Sequence, residues 1–279
     1  MPAVQKNNTR FFAFRLLKVR PSAILEAEED GMASIDVSRF ISRLDTCFNH
    51  NDMGGARECL QYWEAEARAA GDERGLLTVL NEAVGFYRRT QKKNKALAAM
   101  RESLDLVEKL GLGGTLSGAT IFINAATTLS FFGQEEAGLA LYDQAAACYE
   151  QSGKTGTYEY AALMNNKAAA LNALKRYDEA EQGWRAAVDV LKKEGHHDGE
   201  IAISLVCLAH LTFDRDDTAY PQVEALLDEA WEYINSPRQA RDGNYAYVLR
   251  KCAPSFEYFQ RPEEAQALRD VAKEIYGQP

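Results

Sequence analysis

Side chains able to do chemistry are few in this chain and poorly spaced to act together. Histidine occurs at His50, His196, His197 and His210, and none of them falls in an HExxH or comparable metal-ligating spacing. The run His196-His197-Asp198 offers donor atoms of the right type for a metal, but its setting reads as a solvated turn between helices. Acidic pairs stand at Glu135-Glu136, Asp178-Glu179 and Glu263-Glu264. Paired carboxylates can do acid–base work, yet each pair falls where a helix begins, and negative charge there complements the helix dipole. The glycine-rich GLGGTLSG at 111–118 invites a phosphate-loop reading but lacks the GxxxxGK[ST] pattern, so an extended turn is expected. There is also no GxSxG elbow. The expectation is therefore no enzyme, no cofactor and no metal site, with a catalytic site on a concave face kept as a distant alternative.

What would position any functional residue is a repeat. A small residue recurs at Ala56, Ala96, Gly138, Ala180, Val223 and Ala265, at intervals of 40, 42, 42, 43 and 42. Four residues after each comes a bulky one, at Leu60, Met100, Tyr142, Trp184 and Leu227, with Arg269 breaking the rule. Seven after each comes Trp63, Ser103, Ala145, Ala187, Ala230 or Ala272. A fixed period in this range marks an array whose units bury their apolar faces against their neighbours.

Each unit reads as two helices. In residues 158–195, Met164, Ala168 and Leu171 line one face of a first helix, A. After a break at Lys175-Arg176, Tyr177, Ala180, Trp184, Ala187 and Leu191 line a second, B. The same template fits Leu80, Val84 and Tyr87 ahead of Ala96, and Phe122, Ala126 and Leu129 ahead of Gly138. It also fits Leu249, Ala253 and Phe256 ahead of Ala265, and Phe40, Leu44 and Cys47 ahead of Ala56. In the fifth unit FDRDDTAYPQ lengthens the A–B turn by about two residues. Pro254 falls inside the last A helix, where it removes a hydrogen bond and is expected to kink it.

These columns, best met by Met164, Ala168, Leu171, Ala180, Trp184 and Ala187, resemble the tetratricopeptide repeat, with a period longer than its usual ~34 residues. The resemblance covers about residues 35–276. It implies an all-α α-solenoid, a right-handed superhelix of six antiparallel helix pairs, over 32–279. Arg269 in an aromatic column, and valine or alanine where helix A ordinarily has glycine, depart from the pattern.

Such arrays present helix A on their inner face. The columns there are Thr78, Asn81, Gly85 and Arg88; then Thr120, Ile123, Thr127 and Ser130; then Ala162, Asn165, Ala169 and Asn172; and last Tyr247, Arg250, Pro254 and Glu257. Side-chain amides hold a donor and an acceptor together and can pair with a peptide backbone of any sequence. Asn81, Thr127, Asn165 and Asn172, with Arg88 and Arg250 for a carboxylate, are thus the candidate peptide-binding residues. The competing reading of the same residues is an ordinary polar surface.

Charge and composition bound the partners. Against 32 basic residues stand 41 acidic ones, a net charge of −9, which argues against a general nucleic-acid or anionic-membrane binder. The five scattered cysteines, without a CxxC, point to a reducing, cytoplasmic setting. No apolar run approaches the ~18–20 residues that a membrane span requires. Residues 1–31 carry no repeat columns, being basic and apolar through RFFAFRLLKVRPS and acidic at EAEED. They read as a disordered tail or a start-site artefact, with a docked helix or a targeting arm as the alternatives.

The function expected is a non-catalytic scaffold that takes a protein or extended peptide on its concave face, with self-association through the end units an open possibility. The narrower alternative, which the resemblance implies, is a sensor like the quorum-sensing receptors built on extended tetratricopeptide arrays. Those carry an output domain ahead of the repeats, for which residues 1–35 are too few.

Overall fold

The computed structural model describes residues 34–277, and the leader reading for 1–31 lies outside the described residues. Among the described residues are twelve helices and no strand. They are α1 (Val37–Asn49), α2 (Met53–Ala70), α3 (Glu73–Arg89), α4 (Lys93–Lys109), α5 (Leu116–Phe131) and α6 (Glu135–Gln151) in one compact unit. The second unit has α7 (Tyr158–Ala173), α8 (Tyr177–Glu194), α9 (Asp198–Arg215), α10 (Tyr220–Ile234), α11 (Gly243–Tyr258) and α12 (Pro262–Gly277). Odd-numbered helices are the A helices of the repeat and even-numbered ones the B helices.

The turns explain why each pair folds back on itself. Residues 50–52, 90–92, 132–134, 174–176 and 259–261 join A to B. In each, the middle residue has positive φ: Asn51 at 53°, Gln91 at 57°, Gly133 at 78°, Lys175 at 61° and Gln260 at 62°. The following N–H reaches back five residues, as in Lys92 N to Tyr87 O and Arg176 N to Leu171 O at 2.8 and 2.9 Å. That is the Schellman closure, which uses a left-handed residue to satisfy the last carbonyls of the helix. The fifth pair differs. Residues 216–219 join it, one residue longer than its siblings and without a left-handed position, and Asp216 Oδ1 accepts from Thr218 N at 2.9 Å instead.

Caps start the helices. Asp36, Asp52 and Asp72 accept from the N–H groups of Arg39, Gly55 and Gly75, and Thr115, Thr157 and Asp242 do the same for α5, α7 and α11. The second carboxylate oxygen of Asp72 also takes Ile35 N at 3.0 Å, fixing the chain entering α1 against the start of α3.

The repeat columns form the core. Ala56, Ala96, Gly138, Ala180, Val223 and Ala265 are all buried, as are Leu60, Met100, Tyr142, Trp184 and Leu227. Gly138 shows why the column must be small, since a Cβ there would lie 2.9 Å from the Ala126 carbonyl oxygen. Arg269 stays half-buried and pairs with Glu257 on α11, while Leu268 beside it fills the core. Met164, expected in the buried face of α7, is only half-buried. Helix α11 runs from Gly243 to Tyr258 without a break at Pro254, whose ring is exposed, so its lost N–H bond opens to solvent.

Packing follows one rule in both units. Each A helix lies against its own B helix, while α2 packs on α3, α4 on α5 and α8 on α9. A helices also touch directly, α3 with α5, α7 with α9 and α9 with α11. Ion pairs join successive B helices at the rim: Arg68 with Glu102 at 2.6 Å, Lys192 with Glu229 at 2.8 Å, and Arg261, just ahead of α12, with Glu224 at 2.5 Å.

Candidate functional site

In the first unit the predicted residues lie along the A helices, but deep. Asn81 on α3 is 2% exposed, and its Oδ1 accepts from Asn124 Nδ2 on α5 at 2.9 Å. Arg88 donates to Thr128 Oγ1 at 3.1 Å and to the Asn124 carbonyl at 3.4 Å. Thr127 Oγ1 lies 3.0 Å from Tyr142 Oη, and burial raises that phenol to about 12, tempered by Thr127, Arg88 and Ser130. Sequence columns placed these groups on an open face, whereas the structure also engages them in helix-to-helix bonds. The cause is close approach between successive A helices, which turns part of each inner face toward its neighbour.

Asn81 Nδ2 is buried without a hydrogen-bond partner, beside Val84, Met100, Ser103, Ile121 and Asn124.

In the second unit, Asn165 and Asn172 stand seven residues apart on α7, about 10 Å along one stripe of the helix. Asn165 is 5% exposed, and its Oδ1 accepts from Ser204 Oγ on α9 at 2.8 Å. Its Nδ2 has no partner, and neither does Asn172 Oδ1. The stripe thus carries one unmet donor and one unmet acceptor. Arg250 on α11 is exposed, with its guanidinium 5.7 Å from the centre of the Tyr276 ring.

Sequence columns did not single out the head of the same stripe. Tyr158 lies seven residues before Asn165 and stacks on His197 with ring centres 4.8 Å apart. His197 Nε2 is 3.4 Å from Glu194 Oε2; of the run read as a solvated turn, His196 is exposed, His197 half-buried and Asp198 buried. Burial first, then the nearby charges of Glu200, Glu159, Tyr247 and Glu194, holds the Tyr158 phenol well above its ordinary range. The one available signal was the pair Asp198 and Glu200 ahead of the apolar run IAISLVCLAHL, a weak cue because helix starts favour acids anyway.

The acidic pairs Glu135-Glu136, Asp178-Glu179 and Glu263-Glu264 occupy the first turns of α6, α8 and α12. The 111–118 run covers the turn between α4 and α5, with Gly111 left-handed at 66°, and then the first residues of α5. Among the described residues, no group of histidine, cysteine and carboxylate side chains could hold a metal ion, and no helix is long and apolar enough to cross a membrane.

Paired helices of this geometry, with a small residue where each pair crosses, define a tetratricopeptide-type helical-repeat fold, and solved structures share it. RapI in its apo form superimposes with a TM-score of 0.57 at 11% identity, covering 86% of this chain and 97% of RapI. A Rap protein complexed with Competence and Sporulation Factor gives 0.54 at 17% identity over 87% of this chain and 76% of that one. BtubC (BKLC) from P. vanneervenii gives 0.53 at 15% identity, over 87% and 91%. By sequence, no family model and no curated protein matches the chain.

Proposed function

We propose that this chain is a non-catalytic binding protein that holds an extended peptide segment, and that the α7 stripe is its best-defined contact. The observation that carries this reading is the pair of unmet polar atoms, Asn165 Nδ2 and Asn172 Oδ1. Buried polar groups are nearly always hydrogen-bonded, because leaving one unmet costs about 1–3 kcal/mol. An extended chain advances about 3.3 Å per residue. The ~10 Å between the two amides therefore matches about three residues, and the chain's own C=O and N–H groups supply the missing acceptor and donor. The first unit, taken by itself, has an unmet donor of the same kind in Asn81 Nδ2, with Arg88 and Thr127 buried and bonded in the same layer. Arg250, exposed on α11, is available to a carboxylate.

Five buried, unpaired cysteines support a reducing, cytoplasmic setting. A signalling-peptide receptor is the narrower version, and the Rap protein solved with Competence and Sporulation Factor offers a precedent in fold. The test is a peptide-library titration against the wild type and Asn172→Ala. Because Asn172 Oδ1 bonds nothing within the protein, this change should leave the fold intact and weaken binding several-fold. Equal binding by both proteins would remove the α7 stripe from the site.

A further inference from the structure

We propose that the turn between α3 and α4, carrying the exposed lysines Lys92, Lys93 and Lys95, is a second docking surface, and that its occupant is a short acidic segment of a partner protein. The inference stands apart from the peptide reading above, because none of these three lysines belongs to the inner-face columns.

The sequence supplies the charge. Residues 88–95 read RRTQKKNK, five cations in eight residues without an acid, in a chain whose net charge is −9. Arg88 turns inward and bonds to α5, while Arg89, Lys92, Lys93 and Lys95 are exposed. The fold then spreads the exposed cations over neighbouring turns of the first unit. The guanidinium carbon of Arg89 lies 4.4 Å from the centre of the Phe48 ring, near the end of α1. Lys93 Nζ is 5.7 Å from the ring centre of Phe132, which follows α5. Lys95 Nζ is 5.5 Å from the ring centre of Tyr87 on α3. A positive band thus runs across the ends of α1, α3 and α5.

Other cations of this unit are neutralised by carboxylates: Arg68 pairs with Glu64 and Glu102, and Lys109 with Glu73. Among the described residues, Lys92, Lys93 and Lys95 have no such partner. A ring beside an ammonium group restrains it without using up its N–H donors, so Lys93 and Lys95 are held in place and still able to bind an anion. Like charges this close repel one another, and an acidic partner would relieve that repulsion.

An acidic peptide suits the band better than a nucleic acid or a membrane. Phe48 and Phe132, the rings on which bases would stack, already carry Arg89 and Lys93. Acids also bound the band on both sides, with Asp52 in the turn after α1 and Glu135 and Glu136 opening α6. A long polyanion or an anionic bilayer would extend past the lysines onto these carboxylates and a surface of net negative charge. A lysine ammonium is a point charge that accepts carboxylates in many geometries, so the surface reads acidity rather than one exact sequence.

Fluorescence anisotropy of the full chain with a labelled, capped hexaglutamate peptide tests the proposal, with hexaglutamine as the neutral reference. Wild type should bind the glutamate peptide, bind the glutamine peptide much more weakly, and lose the difference as salt is added. Lys92→Gln/Lys93→Gln/Lys95→Gln should weaken glutamate binding by about tenfold, the combined size of three exposed ion pairs. Replacing the same three lysines with arginine should preserve it. Lys154→Gln/Lys193→Gln/Lys273→Gln removes as much charge from other exposed positions and should leave binding near wild type. Asn172→Ala should not alter the preference for glutamate over glutamine. No preference in wild type, or an equal loss in the two glutamine triples, would overturn the surface. Unfolding of the Lys92/Lys93/Lys95 glutamine triple would assign those lysines to the fold and overturn it as well. Tighter, lysine-dependent binding of a single-stranded oligonucleotide or of phosphatidylserine vesicles would overturn the acidic segment as occupant.

Discussion

Asn124 Nδ2 donates to Asn81 Oδ1 at 2.9 Å, and this bond joins two successive A helices, α5 and α3, where Arg88 also donates from α3 to Thr128 on α5. The second unit repeats the device with other residues. Ser204 donates to Asn165 between α9 and α7, and His210 Nε2 lies 3.0 Å from Ser255 Oγ between α9 and α11. An apolar contact tolerates sliding, but a buried polar pair is satisfied in one alignment only. These pairs therefore set the register of neighbouring repeats, at the level where packing becomes the shape of the inner face.

The Asn81–Asn124 pair should show coupling. Asn81→Ala or Asn124→Ala alone leaves the other amide buried and short of this bond, at a cost of about 1–3 kcal/mol. Changing both removes the orphan, so the double variant should lose less than the sum of the singles, by about 0.5–3 kcal/mol. Urea unfolding of the four proteins measures this, and strict additivity would show that the bond contributes nothing.

The left-handed turns offer stabilisation. Gln91, Lys175 and Gln260 hold positive φ at the position where Gly133 stands in the third pair. A side chain in that conformation costs about 1–2 kcal/mol, which glycine avoids at some entropic expense. Gln91→Gly, Lys175→Gly and Gln260→Gly should each raise stability by about 0.5–1 kcal/mol. Asn51→Gly should gain less, because asparagine tolerates this region. A fall in melting temperature for all four would mean that the side chains hold the turns in some other way.

The periodic part of the fold was legible in the sequence because burial dictates it. The column from Ala56 to Ala265 needs small residues where helices cross, and Trp184 and Tyr142 fill the space beside it. Arg269 broke the column because the next residue back, Leu268, takes the core position. The candidate site was less legible. Sequence columns identify which side of helix A faces away from helix B, but not how closely the next A helix approaches, and that approach decides that Asn81 and Arg88 bond to α5. Tyr158 heads α7 and His197 precedes α9, and with no spacing to link them only the fold brings their rings together.

Trp184 should be among the most sensitive core positions. It is 3% exposed on α8, one residue after Gly183, where an added Cβ would lie 3.0 Å from Ala168 Cβ on α7. There is little room for the neighbours to collapse into the space of an indole, so Trp184→Ala should cost about 3–5 kcal/mol. Nearest-neighbour packing should pass part of that loss to α9, which packs directly on α8. Unfolding monitored by far-ultraviolet circular dichroism tests it, and a melt unchanged from wild type would exclude burial of this ring.

His210 gives the fold a signature in acid. Burial lowers its pKa to about 3, so the imidazole is neutral in the folded protein, packed against Phe259 at 4.7 Å and within reach of Ser255. In the unfolded chain it titrates near 6.5. Above that pH both states are neutral and the residue adds no pH dependence. Between about 6.5 and 3 the unfolded state takes up a proton that the folded state refuses, so stability falls as pH drops, by up to about 1.4 kcal/mol per unit. Below about 3 both states are charged and the effect levels off. Carboxylates add their own acid sensitivity, but it is common to wild type and His210→Gln and cancels in their difference. Urea unfolding at pH 7, 6, 5 and 4.5 should therefore show the two curves converging as pH falls, with the glutamine variant losing less stability at each step. Parallel curves would mean that the imidazole is protonated within the fold, with a counter-charge that burial does not deny it.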